Sequence, residues 1–177
     1  KLAPVIIALN KNNNFNIRII LSGQHEEMVY EILELFNLKE DINLKVKRNN
    51  NSLENLSLNL LEVFDNEFEF NIPDLVILQG DTSTAFIAAL SAFYKKIPIA
   101  HVEAGLRTNN LYDPFPEEVN RRLISQLATL HFAPTINSKS LLKSIGLTKN
   151  VYLTGNTVID SLRIISKKSK PPIIDGL

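Results

Sequence analysis

Three short segments carry residue types that move protons and hold anions. Asp81 lies in Gln79-Gly80-Asp81-Thr82-Ser83-Thr84, Glu103 and Arg107 lie in His101-Val102-Glu103-Ala104-Gly105-Leu106-Arg107-Thr108, and Glu117, Asn120 and Arg121 lie in Pro114-Phe115-Pro116-Glu117-Glu118-Val119-Asn120-Arg121. Carboxylates placed near one another serve as general acid and base. An arginine beside them holds a phosphate or a carboxylate by two parallel hydrogen bonds. Each residue also has a plain reading. Taken alone, Asp81 reads first as the N-cap of the helix that follows. Glu117 suits a helical first turn through the macrodipole. Glu117, Asn120 and Arg121 share one helical face, which allows an internal ion pair. Arg107 serves equally as a surface cation. Glu103 resists such a reading, because a carboxylate directly after an apolar strand and before Ala-Gly caps nothing. His25 and His101 lack metal-ligand spacing, so no metal is assigned. Spacing alone therefore describes a crevice of carboxylates, an arginine and glycine turns, suited to sugar or nucleotide chemistry.

The elements that must position these residues alternate. Helices are expected over Leu2 to Leu9, Glu26 to Phe36, Leu53 to Phe64, Ser83 to Tyr94, from Val119 to Leu127, over Ser138 to Ser144 and from Thr157 onward. Strands are expected over Ile17 to Leu21, Leu75 to Leu78, Ile97 to Val102, His131 to Ala133 and Val151 to Thr154. Asp160 follows Thr157 at capping-box spacing. The alternation implies an α/β fold, a doubly wound parallel sheet of Rossmann-like type. Ligands of such sheets bind outside the carboxyl ends of the strands, where all three segments fall. The pattern begins with a helix. In the common doubly wound order the first strand is central, so its loss leaves two parallel strands unpaired and this chain is expected to fold poorly alone.

The chain has 177 residues, is 45% hydrophobic and 21% charged, and has a formal net charge of zero. That balance does not suggest nucleic acid or an anionic membrane as a partner. No stretch is long and apolar enough to span a bilayer. There is no cysteine, hence neither a disulfide framework nor a thiolate metal site. Lys1-Leu2-Ala3-Pro4 does not read as a signal peptide, and a cytoplasmic location is expected. The runs Asn12-Asn13-Asn14 and Asn49-Asn50-Asn51 read as loop filler.

Taken together, the three segments closely resemble the non-hydrolysing UDP-N-acetylglucosamine 2-epimerases. The matching phrases are Pro73 to Thr82, Ile97 to Thr108 and Pro116 to Arg121, joined by Thr154-Gly155-Asn156-Thr157-Val158-Ile159-Asp160 and Gly23-Gln24-His25. The resemblance implies a GT-B-like enzyme of two Rossmann-like domains, of which residues 1–166 are the N-terminal one without its first strand. Residues 167–177 are then a tail or the start of an interdomain linker, and the C-terminal domain is absent. It implies interconversion of UDP-GlcNAc and UDP-ManNAc by anti elimination of UDP and re-addition, without metal or redox cofactor, in a homodimer. By the same resemblance Asp81, Glu103 and Glu117 match the catalytic carboxylates, while Lys1, Arg107, Asn120 and Arg121 match substrate-binding positions. Gln24, His25 and Ala104 lie where some bacterial members bind an allosteric UDP-GlcNAc.

Two departures limit that expectation. The family's Gly-Thr-Arg-Pro-Glu loop and its arginine are absent before Lys1, and so is the domain that supplies most UDP contacts and a catalytic histidine. Little activity is expected of the chain by itself, and a separate C-terminal fragment is a conceivable partner. The alternatives are a hydrolysing 2-epimerase, an inert remnant of a split or decayed gene, and, more remotely, a sugar-nucleotide glycosyltransferase.

Overall fold

The structure, a computed structural model, describes residues 1–23, 26–47 and 52–168. Its elements run α1 (Ala3–Asn10), β1 (Ile20–Leu21), α2 (Glu26–Leu35), β2 (Ile42–Asn43), α3 (Leu53–Phe70), β3 (Val76–Gln79), α4 (Ser83–Tyr94), β4 (Ile99–Val102), α5 (Glu117–Leu127), β5 (Leu130–Ala133), α6 (Ile136–Ser144), β6 (Val151–Leu153) and α7 (Val158–Lys168). Every strand pairing is parallel. One sheet has the order β3-β4-β5-β6, and β1 and β2 form a second, two-stranded one. The expected parallel α/β class is what is found.

Local chemistry explains the main elements. Ser52 caps α3 by accepting the Asn55 N–H, and Leu56, Leu60, Phe64 and Phe68 follow at four-residue steps as one buried stripe. That stripe continues past Phe64, so α3 runs to Phe70, longer than the sequence reading. In α4, Ala85, Ala88, Ala89 and Ala92 are buried, and such small residues let a helix pack closely. The four residues of β4 are all buried, as a strand covered on both faces must be. Leu78, Ile99 and Ile124 join the α3 and α4 side chains in one core, with Ile20, Leu44 and Val76 packed against it.

Several expectations need correction. The Ile17 to Leu21 strand shortens to Ile20–Leu21. Strand β2 was not foreseen; it pairs Ile42 with Ile20 and Asn43 with Leu21. At the start of α7 it is Asn156, not Thr157, whose side chain accepts a helix amide, that of Val158. Lys167 and Lys168, read as tail, belong to the last turn of that helix, and the remainder of the tail lies outside the described residues, as do Asn49-Asn50-Asn51.

Among the described residues β1 pairs only with β2, and β3 only with β4. The Val76 and Gly80 amides point to β4, bonding Pro98 and Val102. Alternation along a parallel strand turns the Ile77 and Gln79 amides to the opposite edge. That edge is partly exposed and has no strand partner among the described residues, which leaves it weakly held. We therefore expect residues 1–177, purified as such, to show a broad, weakly cooperative thermal melt by circular dichroism. A sharp two-state transition would contradict this.

Candidate functional site

The three segments meet at the carboxyl ends of β3 and β4. Gly80 closes β3 with φ +76°, a left-handed conformation that favours glycine. A side chain there would have its Cβ 3.9 Å from Glu103 Oε2. The following residue, Asp81, is not the helix cap. Thr82 holds that role, its side chain accepting the Ala85 N–H at 3.2 Å, which leaves the Asp81 carboxylate free. Asp81 instead receives Arg121 Nη2 at 2.7 Å. Asn120 Nδ2 donates to the Asp81 carbonyl at 2.9 Å, tying this turn to α5.

Glu103 follows β4 with φ +67°, uncommon for a residue with a Cβ. Backbone strain of this kind persists where surrounding contacts over-determine it. Here the contacts are plain. The side chain is 9% exposed, and three donors converge on it. Lys1 Nζ meets Oε1 at 2.6 Å, Gln79 Nε2 meets Oε2 at 2.5 Å, and Asn156 Nδ2 meets Oε1 at 3.4 Å. Two residues on, Gly105 has φ +89°, and a Cβ there would sit 2.3 Å from the Ser138 carbonyl oxygen. Only glycine fits the Ala104-Gly105 turn so closely against α6.

Charge and burial tune the group. Burial pushes the Asp81 pKa up, Arg121 pulls it down, and the nearby charges of Glu117 and Glu103 push it up again, with a net rise. A raised pKa makes a carboxylate a stronger proton acceptor when it is ionised. His101 is fully buried beneath the site, its Nε2 2.8 Å from the Gly80 carbonyl oxygen. That contact requires the neutral ring to carry its proton on Nε2. Burial drives the His101 pKa down to about 4. Glu118 is also fully buried. It accepts Arg122 Nε at 2.6 Å and the Thr108 N–H at 3.0 Å, and lies 3.5 Å from Arg121 Nη1.

A family profile described as UDP-N-acetylglucosamine 2-epimerase matches residues 7–175. The chain belongs to that family. It is 46% identical to the UDP-N-acetylglucosamine 2-epimerase of Neisseria meningitidis over 171 residues, covering 96% of this chain and 46% of that protein. The crystal structure of the N. meningitidis UDP-GlcNAc 2-epimerase bound to UDP-GlcNAc superimposes with a TM-score of 0.92 at 46% identity, over 95% of this chain and 46% of that one. The Methanocaldococcus jannaschii UDP-GlcNAc 2-epimerase, in complex with UDP-GlcNAc and UDP, superimposes with a TM-score of 0.87 at 33% identity, over 96% and 48%. The chain thus spans about half the length of the epimerases it matches.

Within this epimerase-family chain, the expected residues divide into groups. Lys1 contacts Glu103, and Asn120 and Arg121 contact Asp81, while the charges of Glu103, Lys1 and, from the first turn of α5, Glu117 act on Asp81. Arg121 pairs with Asp81 and Glu118, so the helical-face pair with Glu117 suggested by spacing is not the contact made. Arg107 is turned onto α5, its Nη2 donating to Ser125 Oγ at 2.8 Å and its Nη1 to the Leu106 carbonyl at 2.7 Å. The Ala104 side chain is buried with Ala133 and Leu142. Gln24 and His25 lie outside the described residues. Gln79, Asn156 and Glu118 were not foreseen as site residues, although each sits inside a phrase already singled out. Among the described residues no three His, Asp or Glu side chains are grouped as metal ligands, and no helix is long and apolar enough to cross a membrane.

Proposed function

We propose that this chain is the carboxylate-bearing half of a UDP-N-acetylglucosamine 2-epimerase site, acting on UDP-GlcNAc and UDP-ManNAc. One observation carries the reading: Asp81, Glu103 and Glu117 come together at the carboxyl ends of β3 and β4, on a chain of this family. The C2 proton of the sugar is weakly acidic, so its removal needs a placed base and a departing diphosphate. One carboxylate takes that proton as the C1–O bond to UDP breaks on the opposite face, leaving 2-acetamidoglucal. Protonation of C2 from the other face, with UDP re-forming the C1–O bond, yields the epimer. Asp81, Glu103 and Glu117 supply the proton acceptor and donor. Lys1 and Arg121, already engaged with those carboxylates, are the cations this reading assigns to an anionic substrate, with Asn120 beside Arg121 on α5 and Arg107 held against that helix by Ser125. In this reading the phrases after β3, after β4 and into α5 belong to one Rossmann-like domain of residues 1–166. No metal or redox cofactor enters the scheme. A homodimer in the cytoplasm, with a further domain or a separate C-terminal fragment gripping UDP, completes the reading. A regulatory UDP-GlcNAc near Gln24, His25 and Ala104 belongs to it as well.

The intact protein incubated with UDP-GlcNAc is expected to give UDP-ManNAc, followed by NMR of the anomeric protons. Free ManNAc with stoichiometric UDP would make it a hydrolysing enzyme instead. No turnover would favour an inert remnant.

A further inference from the structure

We propose that Glu118 is a positioning residue for this site: its buried carboxylate shares Arg121 with Asp81 and so sets how much of that guanidinium Asp81 receives. The inference rests on the epimerase reading for its kinetic consequence, but its geometry stands apart from it. Glu118 is wholly excluded from solvent, as few ionisable side chains are. A buried carboxylate needs cations and donors at both oxygens. Oε1 has Arg122 Nε, and Oε2 has the Thr108 amide and, at 3.5 Å, Arg121 Nη1. The other terminal nitrogen of Arg121 reaches Asp81 Oδ2 at 2.7 Å. One guanidinium thus bridges two carboxylates, one solvent-free and one at the reacting edge.

The same carboxylate anchors the segment after β4. Arg122 donates by Nη2 to the Thr108 carbonyl at 2.9 Å, while Glu118 takes the Thr108 amide. Thr108 Oγ1 then donates to the Asn110 and Asp113 carbonyls. Glu118 therefore fixes Arg121 and the approach to α5 together. The charged groups around it are Arg121 and Arg122 of α5 and Arg107 from the segment after β4, whose own pKa Glu118 supports against burial. Those acting on Asp81 are Arg121 and Glu117 of α5, Glu103 after β4 and Lys1 before α1. Arg121 is in contact with both carboxylates, so the route from Glu118 to Asp81 runs through its guanidinium.

The test uses the intact protein and two substitutions of opposite sign. Glu118→Gln keeps the shape and an acceptor for Thr108 but removes the charge competing for Arg121. Arg121 then acts on Asp81 undivided, and Asp81 titrates lower by on the order of half a pH unit. Arg122→Gln removes a cation from Glu118, which then draws harder on Arg121, and Asp81 titrates higher by a similar amount. Asp81 is followed by carboxyl ¹³C NMR without substrate, and by the matching limb of the pH profile of kcat/KM. Opposed shifts in the two variants support the inference. Titration curves that superimpose on wild type, with only the melting temperature lowered, would overturn it by reducing Glu118 to a structural clamp. If Glu118→Gln does not fold, Arg122→Gln alone decides in the same way. Absent turnover in the wild type would count against the epimerase reading, while the NMR titration would still decide this one.

Discussion

In the intact protein, Glu103→Gln is expected to lower conversion of UDP-GlcNAc to UDP-ManNAc by about a thousandfold, the middle of the range for losing a general acid or base. The change is nearly isosteric. Gln79 can still donate to the oxygen that remains, and Asn156 loses only a long contact of 3.4 Å. Lys1 loses its anion, but its side chain is 37% exposed and water can take over. The melting temperature should therefore move by no more than about 2 °C. A large kinetic loss without loss of fold is the signature of chemistry, not architecture. Rates within a few-fold of wild type would remove Glu103 from the proton-transfer steps, and unfolding would mean that its contacts are structural. The strained φ of +67° makes the same point from the backbone, since a side chain aimed this way at a strand end is not placed there by propensity.

The second large effect concerns acid. His101 is neutral in the fold, and its pKa falls from 6.5 to about 4 because burial penalises the imidazolium. In the unfolded chain it titrates near its ordinary value, so the unfolded state binds the extra proton first. The stability linked to this group is complete above pH 6.5 and is lost as pH falls from 6.5 through 4, a total on the order of 3 kcal/mol. His101→Gln retains a donor for the Gly80 carbonyl but cannot take a proton. Between pH 7 and pH 4 the variant should lose less stability than wild type by about that amount, measured by urea unfolding at each pH. Parallel losses in the two proteins would show that His101 is not the acid-sensitive group. His131, its partner across the β4–β5 register, has its pKa lowered chiefly by burial too and will contribute in the same direction.

The sequence made the parallel fold legible where apolar runs were continuous, as in β3 and β4, and where apolar residues kept helical spacing, as in α3. It did not reveal β2, because two residues make no periodicity. That strand exists through register with β1, and Asp41 helps by accepting the Ile19 amide at 2.7 Å. Glu103 stood out because no local role explained it. Asp81 read first as a cap because Asp caps well before a helix, and only the structure shows that Thr82 takes that role. Gln79 and Asn156 reach Glu103 from 24 and 53 residues away, which spacing cannot express. Glu118 was passed over beside Glu117 because its importance comes from burial and from Thr108, both tertiary facts.

The small division of labour between Asp81 and Thr82 has a practical consequence. Helix α4 starts from the threonine, so the aspartate next to it is spared the capping role and keeps its carboxylate for Arg121. Asp81→Asn, which keeps an acceptor for Arg121, should therefore change expression and solubility little, and on the proposed reading its effect appears when turnover is assayed. Thr82→Ala would do the reverse, weakening the helix by about 1 kcal/mol while leaving every proton-carrying group in place. Two consecutive residues thus divide the capping of α4 from the proton transfer proposed for this site.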